Sequence, residues 1–248
     1  MKNRESWTPS KFSYKEGKLS YSKNRLEVGY SSRLLVNLIA DFYSKMLPKY
    51  VKGRLIDLGC GLAPLYAAYK NYATDVTCVD WANDSSQSPY IDMEQDLNQQ
   101  LNFENESFET VLLSDVLEHI RKPDFLLCEI HRILSPEGIL LMNVPFFYWI
   151  HDKPFDYFRY TEFALKAMLI ENGFEIVQFQ ALGGSPEVLA DVSSKVIARI
   201  PFIGAIYAVI AQKTASWFVK TRWGHNLSQR SSKTFPLAYA VVAKKNAQ

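Results

Sequence analysis

Short apolar runs alternate with amphipathic segments along most of the 248-residue chain. The apolar runs have strand length and end at turn-forming residues, whereas the amphipathic segments repeat their apolar positions with the period of a helix. The pattern predicts strands within residues 54–61, 75–81, 90–97, 108–115, 138–145, 174–182 and 235–245, and helices over residues 31–48, 64–72, 122–134 and 161–173. Such alternation is typical of a doubly wound α/β sheet.

Local residues set the predicted ends of several elements. The serines at 31–32 offer an N-cap to the first helix and Pro48 a stop. Pro64 suits the first turn of the second helix, and Thr161 is a natural N-cap for the last of the four. Residues 82–89 have the polar composition of a loop.

Two basic segments flank a more acidic middle. Residues 1–33 carry eight Lys and Arg against three Glu, and residues 186–233 carry seven against two acids, so each segment has a net charge of +5. The whole chain has a net charge of only +2, and we therefore expect no nucleic-acid partner. We divide the chain into an N-terminal cap region and helix (1–50), a ligand-binding core (51–184), a helical insertion (185–233) and a last strand with its tail (234–248).

The three cysteines give no sign of a metal centre. Cys60, Cys78 and Cys128 form no CxxC pair, so we predict no metal site and interpret them as buried thiols in a reducing compartment. The N-terminus has no apolar signal-peptide core, and no run of about 18 apolar residues could span a membrane. We expect a cytoplasmic protein.

A glycine-rich turn, DLGCG at residues 57–61, connects the first predicted strand to the next helix. Folds of this class bind ligands at the carboxyl ends of parallel strands, and glycine lets the backbone approach a ligand closely. A dinucleotide-binding fold would also have a GxG here. However, Pro64 stands where the third glycine would fall, and Asp57 suits an ammonium group better than a pyrophosphate.

Acidic residues follow the next two strands. Asp80 can accept hydrogen bonds from both hydroxyls of a ribose, a feature that NAD sites share. Trp81 is either a platform for an adenine ring or an ordinary packing residue. Asp96 is either an acceptor for the adenine amino group or a solvated loop acid.

Five segments follow one another along the chain in the order LIDLGCG, CVDW, DMEQDL, FETVLLSDVLEHI and LLCEIHRILSPEGILLMNVP. With this order, the chain resembles the class I S-adenosylmethionine-dependent methyltransferases, in particular the type 11 family, over about residues 50–182. The resemblance implies a Rossmann-like seven-stranded sheet, mostly parallel with the last strand antiparallel. It also implies that S-adenosylmethionine is the cofactor and S-adenosylhomocysteine the product. The implied cofactor-binding residues are Asp57, Gly59 and Gly61 at the methionine moiety with Cys60 between the glycines, Asp80 at the ribose, Asp96 and Leu97 at the adenine, and Ser114 and Asp115 near the sulfonium.

The segment at residues 144–165 crowds aromatic residues around charged groups above the expected cleft. It resembles a stretch found in some type 11 members. We predict that His151 is the general base and that Asp156 orients it or acts as a second acid. We predict that Arg159 holds a phosphate or carboxylate of the substrate.

Further residues of this region have two interpretations. Tyr148 and Tyr157 are candidate substrate contacts, and His119, which leaves the fourth strand, is a second candidate base. The alternative for His119 is a structural role in its loop. The alternative for the aromatic segment is a packed lid in which Asp156 and Arg159 form an internal ion pair.

The late insertion mixes apolar, aromatic and basic residues. Residues 196–223 are too short and too interrupted to span a bilayer, but their composition suits a membrane interface. They form either a helical cap that contacts an anionic membrane or receives a lipid-linked acceptor, or a helical pair that covers the sheet or forms a homodimer face.

These features predict an S-adenosylmethionine-dependent methyltransferase. We favour O-methylation of a small-molecule, glycan or lipid-linked acceptor, because histidines near the cleft can serve as bases. The alternatives are a C- or N-methyltransferase and a non-catalytic partner-binding domain. An NAD-dependent oxidoreductase is disfavoured by Asp57 and Pro64.

Overall fold

In a computed structural model, which describes residues 1–81 and 88–246, the apolar runs form strands. A hairpin comes first, formed by β1 (Phe12–Lys15) and β2 (Lys18–Tyr21). The main sheet of the described residues follows, with β3 (Arg54–Leu58), β4 (Asp75–Asp80), β5 (Met93–Glu94), β6 (Phe108–Ser114), β7 (Leu134–Pro145), β8 (Phe174–Leu182) and β9 (Ala238–Lys245).

The main sheet has the strand order β5-β4-β3-β6-β7-β9-β8. Strands β3 to β7 pair in parallel, whereas β9 lies antiparallel between β7 and β8. Parallel strands that are buried on both faces are continuous apolar runs, which is why the sequence signals them clearly. The predicted doubly wound seven-stranded sheet, mostly parallel with an antiparallel last strand, is confirmed.

Helices connect the strands and cover both faces of the sheet. Those within the described residues are α1 (Arg33–Tyr50), α2 (Tyr66–Tyr69), α3 (Pro123–Ile133), α4 (Glu162–Glu171), α5 (Ser185–Ile197), α6 (Gly204–Phe218) and α7 (Arg222–Ser231). The predicted N-cap of α4 is confirmed, since the Thr161 hydroxyl accepts a hydrogen bond from the Ala164 amide at 3.2 Å.

Successive residues of the central strands enter two different hydrophobic clusters. Leu112 of β6 and Leu141 of β7 pack with α1 and the hairpin. Their neighbours Leu113 and Met142 pack with α3 and α4 on the other face. The sheet is therefore held rigid from both sides, and its carboxyl edge is a fixed platform.

A serine is at the N-cap position of α1 as predicted, but without a capping hydrogen bond within the described residues, and the predicted stop of the helix is wrong. Ser32 occupies the N-cap position, but its side chain caps no amide of the described residues and lies 3.2 Å from the Tyr148 hydroxyl instead. Pro48 does not stop the helix, which continues to Tyr50. Proline removes an amide donor, but it does so here in the last turn, which still closes through a hydrogen bond to the Leu47 carbonyl.

Several smaller predictions are also corrected. Pro64 precedes α2 by two residues rather than lying in its first turn, and it follows Ala63, which has a left-handed conformation. The third strand shortens to β5, and the N-terminal cap region contains the unpredicted hairpin. Cys128 is exposed, because the opposite face of α3 packs on the sheet. The loop predicted over residues 82–89 lies mostly outside the described residues.

The predicted helical insertion before the last strand consists of α5, α6 and α7. Buried polar side chains hold the insertion in place. Gln212 accepts a hydrogen bond from the Leu34 amide of α1 at 2.8 Å, and Glu187 accepts one from the Ser228 hydroxyl, within the insertion, at 2.6 Å. Its exposed large apolar side chains include Leu189, Val196, Phe202, Ile203, Ile206, Ile210, Trp217 and Trp223. None of the described helices is long and apolar enough to cross a membrane.

Candidate functional site

The glycine-rich turn lies at the carboxyl end of β3, at the same edge of the sheet as the carboxyl ends of the neighbouring strands β4 and β6. Gly59 has a φ of 69°, and a Cβ there would lie 2.5 Å from the Val116 side chain, so only glycine fits. The Gly59 and Cys60 amides donate to the Val79 carbonyl at 2.8 and 3.1 Å. Gly61 has a φ of 50° with open space beside it. The turn is thus tied to β4 and leaves room for a ligand.

Asp57 is a buried carboxylate beneath this turn. Its Oδ2 accepts a hydrogen bond from the Tyr69 hydroxyl at 3.0 Å. Burial raises the pKa of Asp57 to about 7, although the Tyr69 hydrogen bond acts in the opposite direction, and the nearby Asp80 contributes to the rise. A cationic ligand would stabilise the ionised form, so the position favours an ammonium group.

Asp80 joins the glycine turn to the end of β4. Its two carboxylate oxygens accept hydrogen bonds from the Gly61 amide at 2.6 Å and the Trp81 amide at 2.9 Å. Burial raises the pKa of Asp80, and these two hydrogen bonds oppose the rise. The Trp81 ring packs edge-on against Phe155, with ring centroids 4.8 Å apart. The loop after β4 is thereby connected to the aromatic segment.

The pair predicted to bind adenine divides into a polar and an apolar member. Asp96 is half-buried, and its Oδ1 accepts from the backbone amide and the side-chain amide of Asn98, each at 2.9 Å. Leu97 is buried in the hydrophobic cluster that contains α3. Asp96 therefore already organises its own turn, a local role that the sequence analysis did not include.

A polar network occupies the carboxyl ends of β6 and β7. Asp115 has a φ of 54°, and its carboxylate accepts from Asn143 Nδ2 and from Lys11 Nζ, each at 2.5 Å. The side-chain Oδ1 of Asn143 in turn accepts from the Ser114 and Tyr43 hydroxyls, each at 2.8 Å. Ser114 and Asp115 thus belong to one polar network at the strand ends.

Sequence reasoning missed several members of this network. Asn143 interrupts an otherwise continuous apolar run over residues 138–145, and a polar residue in such a run could have been recognised. Tyr43 and Tyr69 look like ordinary apolar positions of their helices. Nothing in the sequence connects Lys11 to Asp115, because 104 residues separate them.

Two histidines meet above a buried glutamate next to this network. The rings of His119 and His151 pack edge to face, with centroids 4.8 Å apart. Their Nε2 atoms lie 3.7 and 4.0 Å from Glu118 Oε1. The sequence analysis named both histidines as candidate bases but gave Glu118 no function.

The predicted pair Asp156 and Arg159 forms an internal ion pair. Two guanidinium nitrogens of Arg159 donate to the two Asp156 oxygens at 2.6 and 2.7 Å, and the guanidinium also donates to the Trp149 carbonyl at 3.0 Å. Burial acts to raise the pKa of Asp156, but hydrogen bonds from Arg159 and from the His151 amide lower it to about 2. The pair holds the aromatic segment together, which matches the structural alternative.

The two predicted substrate tyrosines have different surroundings. Tyr148 is half-buried, its ring centroid lies 5.3 Å from that of His151, and Lys195 Nζ lies 3.8 Å above its ring. Tyr157 is exposed, and its amide donates to the Glu118 carbonyl at 2.9 Å. Only Tyr148 lies next to a candidate base.

These groups fit a ligand that combines an ammonium group with a ribose. Asp57 is a carboxylate that a cation would ionise, and open space adjoins Gly61. Asp80 lies at the end of the neighbouring strand, the usual position of a ribose acceptor in this class of fold. The histidines next to Asp115 provide groups that can exchange a proton.

Comparisons with known proteins agree with this description. A family model described as "Methyltransferase domain" matches residues 31–179, more than half of the chain. No curated protein matches the sequence.

Several solved structures share the fold. An S-adenosylmethionine-dependent methyltransferase from Mesorhizobium loti is 16% identical with a TM-score of 0.55, and the match covers 86% of this chain and 100% of that one. One from Archaeoglobus fulgidus is 17% identical with a TM-score of 0.56, covering 84% and 93%. The [4+2]-cyclase SpnF is 17% identical with a TM-score of 0.56, covering 97% and 87%. At this identity the likenesses show the fold alone, whereas the family model shows the family. The chain belongs to this methyltransferase-domain family and is an S-adenosylmethionine-dependent methyltransferase.

Proposed function

We propose that the protein methylates a hydroxyl oxygen of a lipid-linked acceptor at a membrane surface. The observation that carries the oxygen assignment is the pair His119 and His151, whose Nε2 atoms face Glu118 beside the end of β6. A hydroxyl is a poor nucleophile and needs a proton acceptor, whereas an amine needs mainly to be deprotonated before it binds.

The donor is held by the residues of the carboxyl edge. Asp57 pairs with its ammonium group, Asp80 accepts from the ribose hydroxyls, and Trp81, Asp96 and Leu97 surround the adenine. The backbone of the glycine turn lies along the methionine moiety. Residues at the methionine and sulfonium end are Gly59, Cys60, Gly61, Ser114 and Asp115.

S-adenosylmethionine supplies a methyl carbon that is already activated by positive sulfur, so the chain needs mainly to align the acceptor and remove its proton. His151 is the base in this proposal. Asp156 Oδ2 accepts a hydrogen bond from the His151 amide at 2.9 Å and lies 3.2 Å from the ring Nδ1, so Asp156 positions His151 mainly through its backbone while Nε2 faces Glu118. Arg159 acts indirectly, since its ion pair with Asp156 fixes that carboxylate.

The lipid assignment rests on the surface of the insertion. Its helices present large apolar side chains outward instead of packing them against the sheet, and basic residues are interspersed among them. Apolar side chains next to cations suit an anionic membrane interface. In a homodimer through this surface, two insertions that each have a net charge of +5 would face and repel each other. The charge therefore favours an anionic membrane over a second copy of the chain.

A cleft of about 340 Å³ lies between the hairpin, α1 and α6 at the border of this surface. Arg33 lines it, and the preceding residue, Ser32, contacts the Tyr148 hydroxyl next to His151. Ser32 and Tyr148 therefore lie between this cleft, as a candidate site for a phosphate of the acceptor, and the histidine pair. The cationic and aromatic residues of the cleft are Arg33, Lys213, Lys220, Tyr21, Tyr30 and Trp217.

Replacement of Asp80 tests the donor site. We expect Asp80→Ala to weaken S-adenosylhomocysteine binding at least about tenfold in calorimetric titrations, because two hydrogen bonds to a charged group are lost. NAD should not bind. Asp75→Asn, at the exposed start of the same strand, is the control and should bind as the wild type does. Wild-type affinity of Asp80→Ala would remove Asp80 from the site.

The pKa of Asp57 predicts how donor affinity depends on pH. Its folded pKa is about 7 against an ordinary value of 3.8, so between these values the folded protein binds one proton more and its free energy of unfolding falls as pH rises. The ammonium group needs the ionised carboxylate. S-adenosylhomocysteine affinity should therefore rise about tenfold between about pH 6 and about pH 8. Asp57→Asn should bind weakly and without this dependence, and a flat wild-type profile would contradict the assignment.

Replacement of His151 tests the chemistry. The protein is incubated with methyl-labelled donor and a total lipid extract, and label is measured in the organic phase as alkali-stable methyl ether. We expect His151→Gln to lower the rate about 100-fold or more while S-adenosylhomocysteine binding is unchanged. His225→Gln, an exposed histidine of α7, is the control. Label on nitrogen or carbon would overturn the oxygen assignment.

Vesicle flotation tests the membrane surface. At low salt the protein should float with vesicles that contain phosphatidylglycerol and not with phosphatidylcholine alone. Phe202→Asp with Ile206→Asp should reduce binding at least about tenfold, because two exposed apolar side chains lose their burial. Leu26→Asp, equally exposed outside the insertion, should bind normally. If the double variant instead dissociates a dimer, the surface is a subunit interface.

A further inference from the structure

Four side chains at one end of the aromatic segment bring potential metal ligands together. Glu118 Oε1 lies 3.7 Å from His119 Nε2 and 4.0 Å from His151 Nε2. Asp152 Oδ2 lies 3.9 Å from each of the same two nitrogens. The ligand atoms of Glu118, His119 and His151 are all within 4.8 Å of one another. Ligand atoms of a tetrahedral site are about 3.4 Å apart when each lies about 2.1 Å from the metal. The four carboxylate–imidazole distances exceed this spacing by about half an ångström, so small side-chain rotations would bring these atoms to a common cation.

Glu118 is the member that most needs a positive partner. Its side chain is fully buried, and neither carboxylate oxygen is hydrogen-bonded to any residue that the structure describes. Its backbone carbonyl is occupied separately, by the Tyr157 and Phe158 amides. A buried carboxylate without donors is costly, and it is normally paired or bound to a metal. Its oxygens face the two imidazoles, so a cation between them would satisfy the carboxylate.

One of the two imidazoles is arranged as metal-bound histidines usually are, since His119 Nδ1 lies 2.9 Å from the Phe155 carbonyl. His151 Nδ1 lies 3.2 Å from Asp156 Oδ2 but forms no hydrogen bond with any residue that the structure describes. A proton on Nδ1 of each ring would leave the Nε2 lone pair free to point toward Glu118. Histidine ligands are commonly held in this tautomer by a backbone carbonyl or a carboxylate on the other ring nitrogen.

We propose that Glu118, His119 and His151, with Asp152 as a more exposed fourth donor, bind a divalent transition-metal cation. Two imidazoles with carboxylates favour zinc, cobalt or iron over magnesium or calcium, which prefer oxygen ligands alone. The prediction of no metal site rested on the absence of cysteine pairs and is at odds with this cluster. His151 is 32 residues beyond His119 in the chain, and only the fold joins them.

The site deepens the proposed function, and only this use of the cation rests on that function. Asp152 is three-quarters exposed, so it can give way to an incoming ligand. Three protein ligands with an exchangeable fourth position are the usual arrangement of a catalytic zinc site. An acceptor hydroxyl in that position would be acidified by the cation and would lose its proton to the displaced Asp152 carboxylate. With a cation bound, His151 would therefore act as a ligand, and Asp152 would replace it as the base.

The test measures metal binding by the whole protein without donor or acceptor, so its outcome does not depend on the proposed reaction. Metal-free protein is titrated with cobalt chloride, and binding is followed by calorimetry and by the visible absorption of cobalt bound to nitrogen. We expect one cobalt ion per chain. Glu118→Gln and His151→Gln should each weaken binding at least about 100-fold, since even the outer partners of metal ligands are worth about 10- to 100-fold.

One control variant and the choice of two dissimilar test variants keep the result interpretable. His225→Gln removes an exposed histidine far along the chain and should leave cobalt binding unchanged. Glu118→Gln keeps the volume of a buried side chain, and His151→Gln alters a loop residue, so the two variants perturb folding in different ways. Absence of saturable cobalt binding by the wild type, or wild-type binding by His151→Gln, would overturn the site. Cobalt binding without methyl transfer to any lipid would leave the site intact and contradict only the proposed function.

Discussion

Buried carboxylates at the carboxyl edge of the sheet are the constraint on which the rest of the site depends. Asp57 in β3 and Glu118 after β6 are buried at this edge, which raises the free energy of their negative charges, and Asp115 after β6 lies half-buried beside them. The chain compensates each differently. Tyr69 donates to Asp57, and Lys11 lies against Asp115, whereas the buried oxygens of Glu118 face two imidazoles. This edge favours positive groups, as a sulfonium donor requires.

The aromatic segment depends on a second electrostatic contact. Asp156 and Arg159 are paired in a fork geometry that fixes both planes, and the same carboxylate accepts from the His151 amide. The sequence analysis offered substrate binding and an internal ion pair as alternatives for Arg159. Its guanidinium is fully engaged with Asp156 and backbone carbonyls, so its effect on chemistry passes through the position of His151.

The sequence predicted those parts of the molecule that repeat a local rule. Buried parallel strands produce uninterrupted apolar runs, and the turn at Gly59 requires a glycine because Val116 leaves no room for a side chain. Contacts between distant segments carry no such signature. Lys11 reaches Asp115 from the N-terminal segment, which has no periodicity, and the approach of His151 to Glu118 depends on how the loop after β7 folds back. The sequence can therefore show that a buried polar group needs a partner, but it does not show which residue that partner is.

Short contacts connect the insertion to the histidine pair, where the proposed function places the reaction. Tyr148 lies against His151 on one side, and on the other it contacts Ser32 at the start of α1 and lies beneath Lys195 of α5. Lys195 is held by an ion pair with the buried Asp191, and Gln212 of α6 donates to the Ser31 carbonyl. Any movement of α5 or α6 at a membrane would therefore reach the ring of Tyr148 through short contacts. Such coupling would allow a lipid-linked acceptor to be recognised at the surface and aligned at the histidines by one continuous set of side chains.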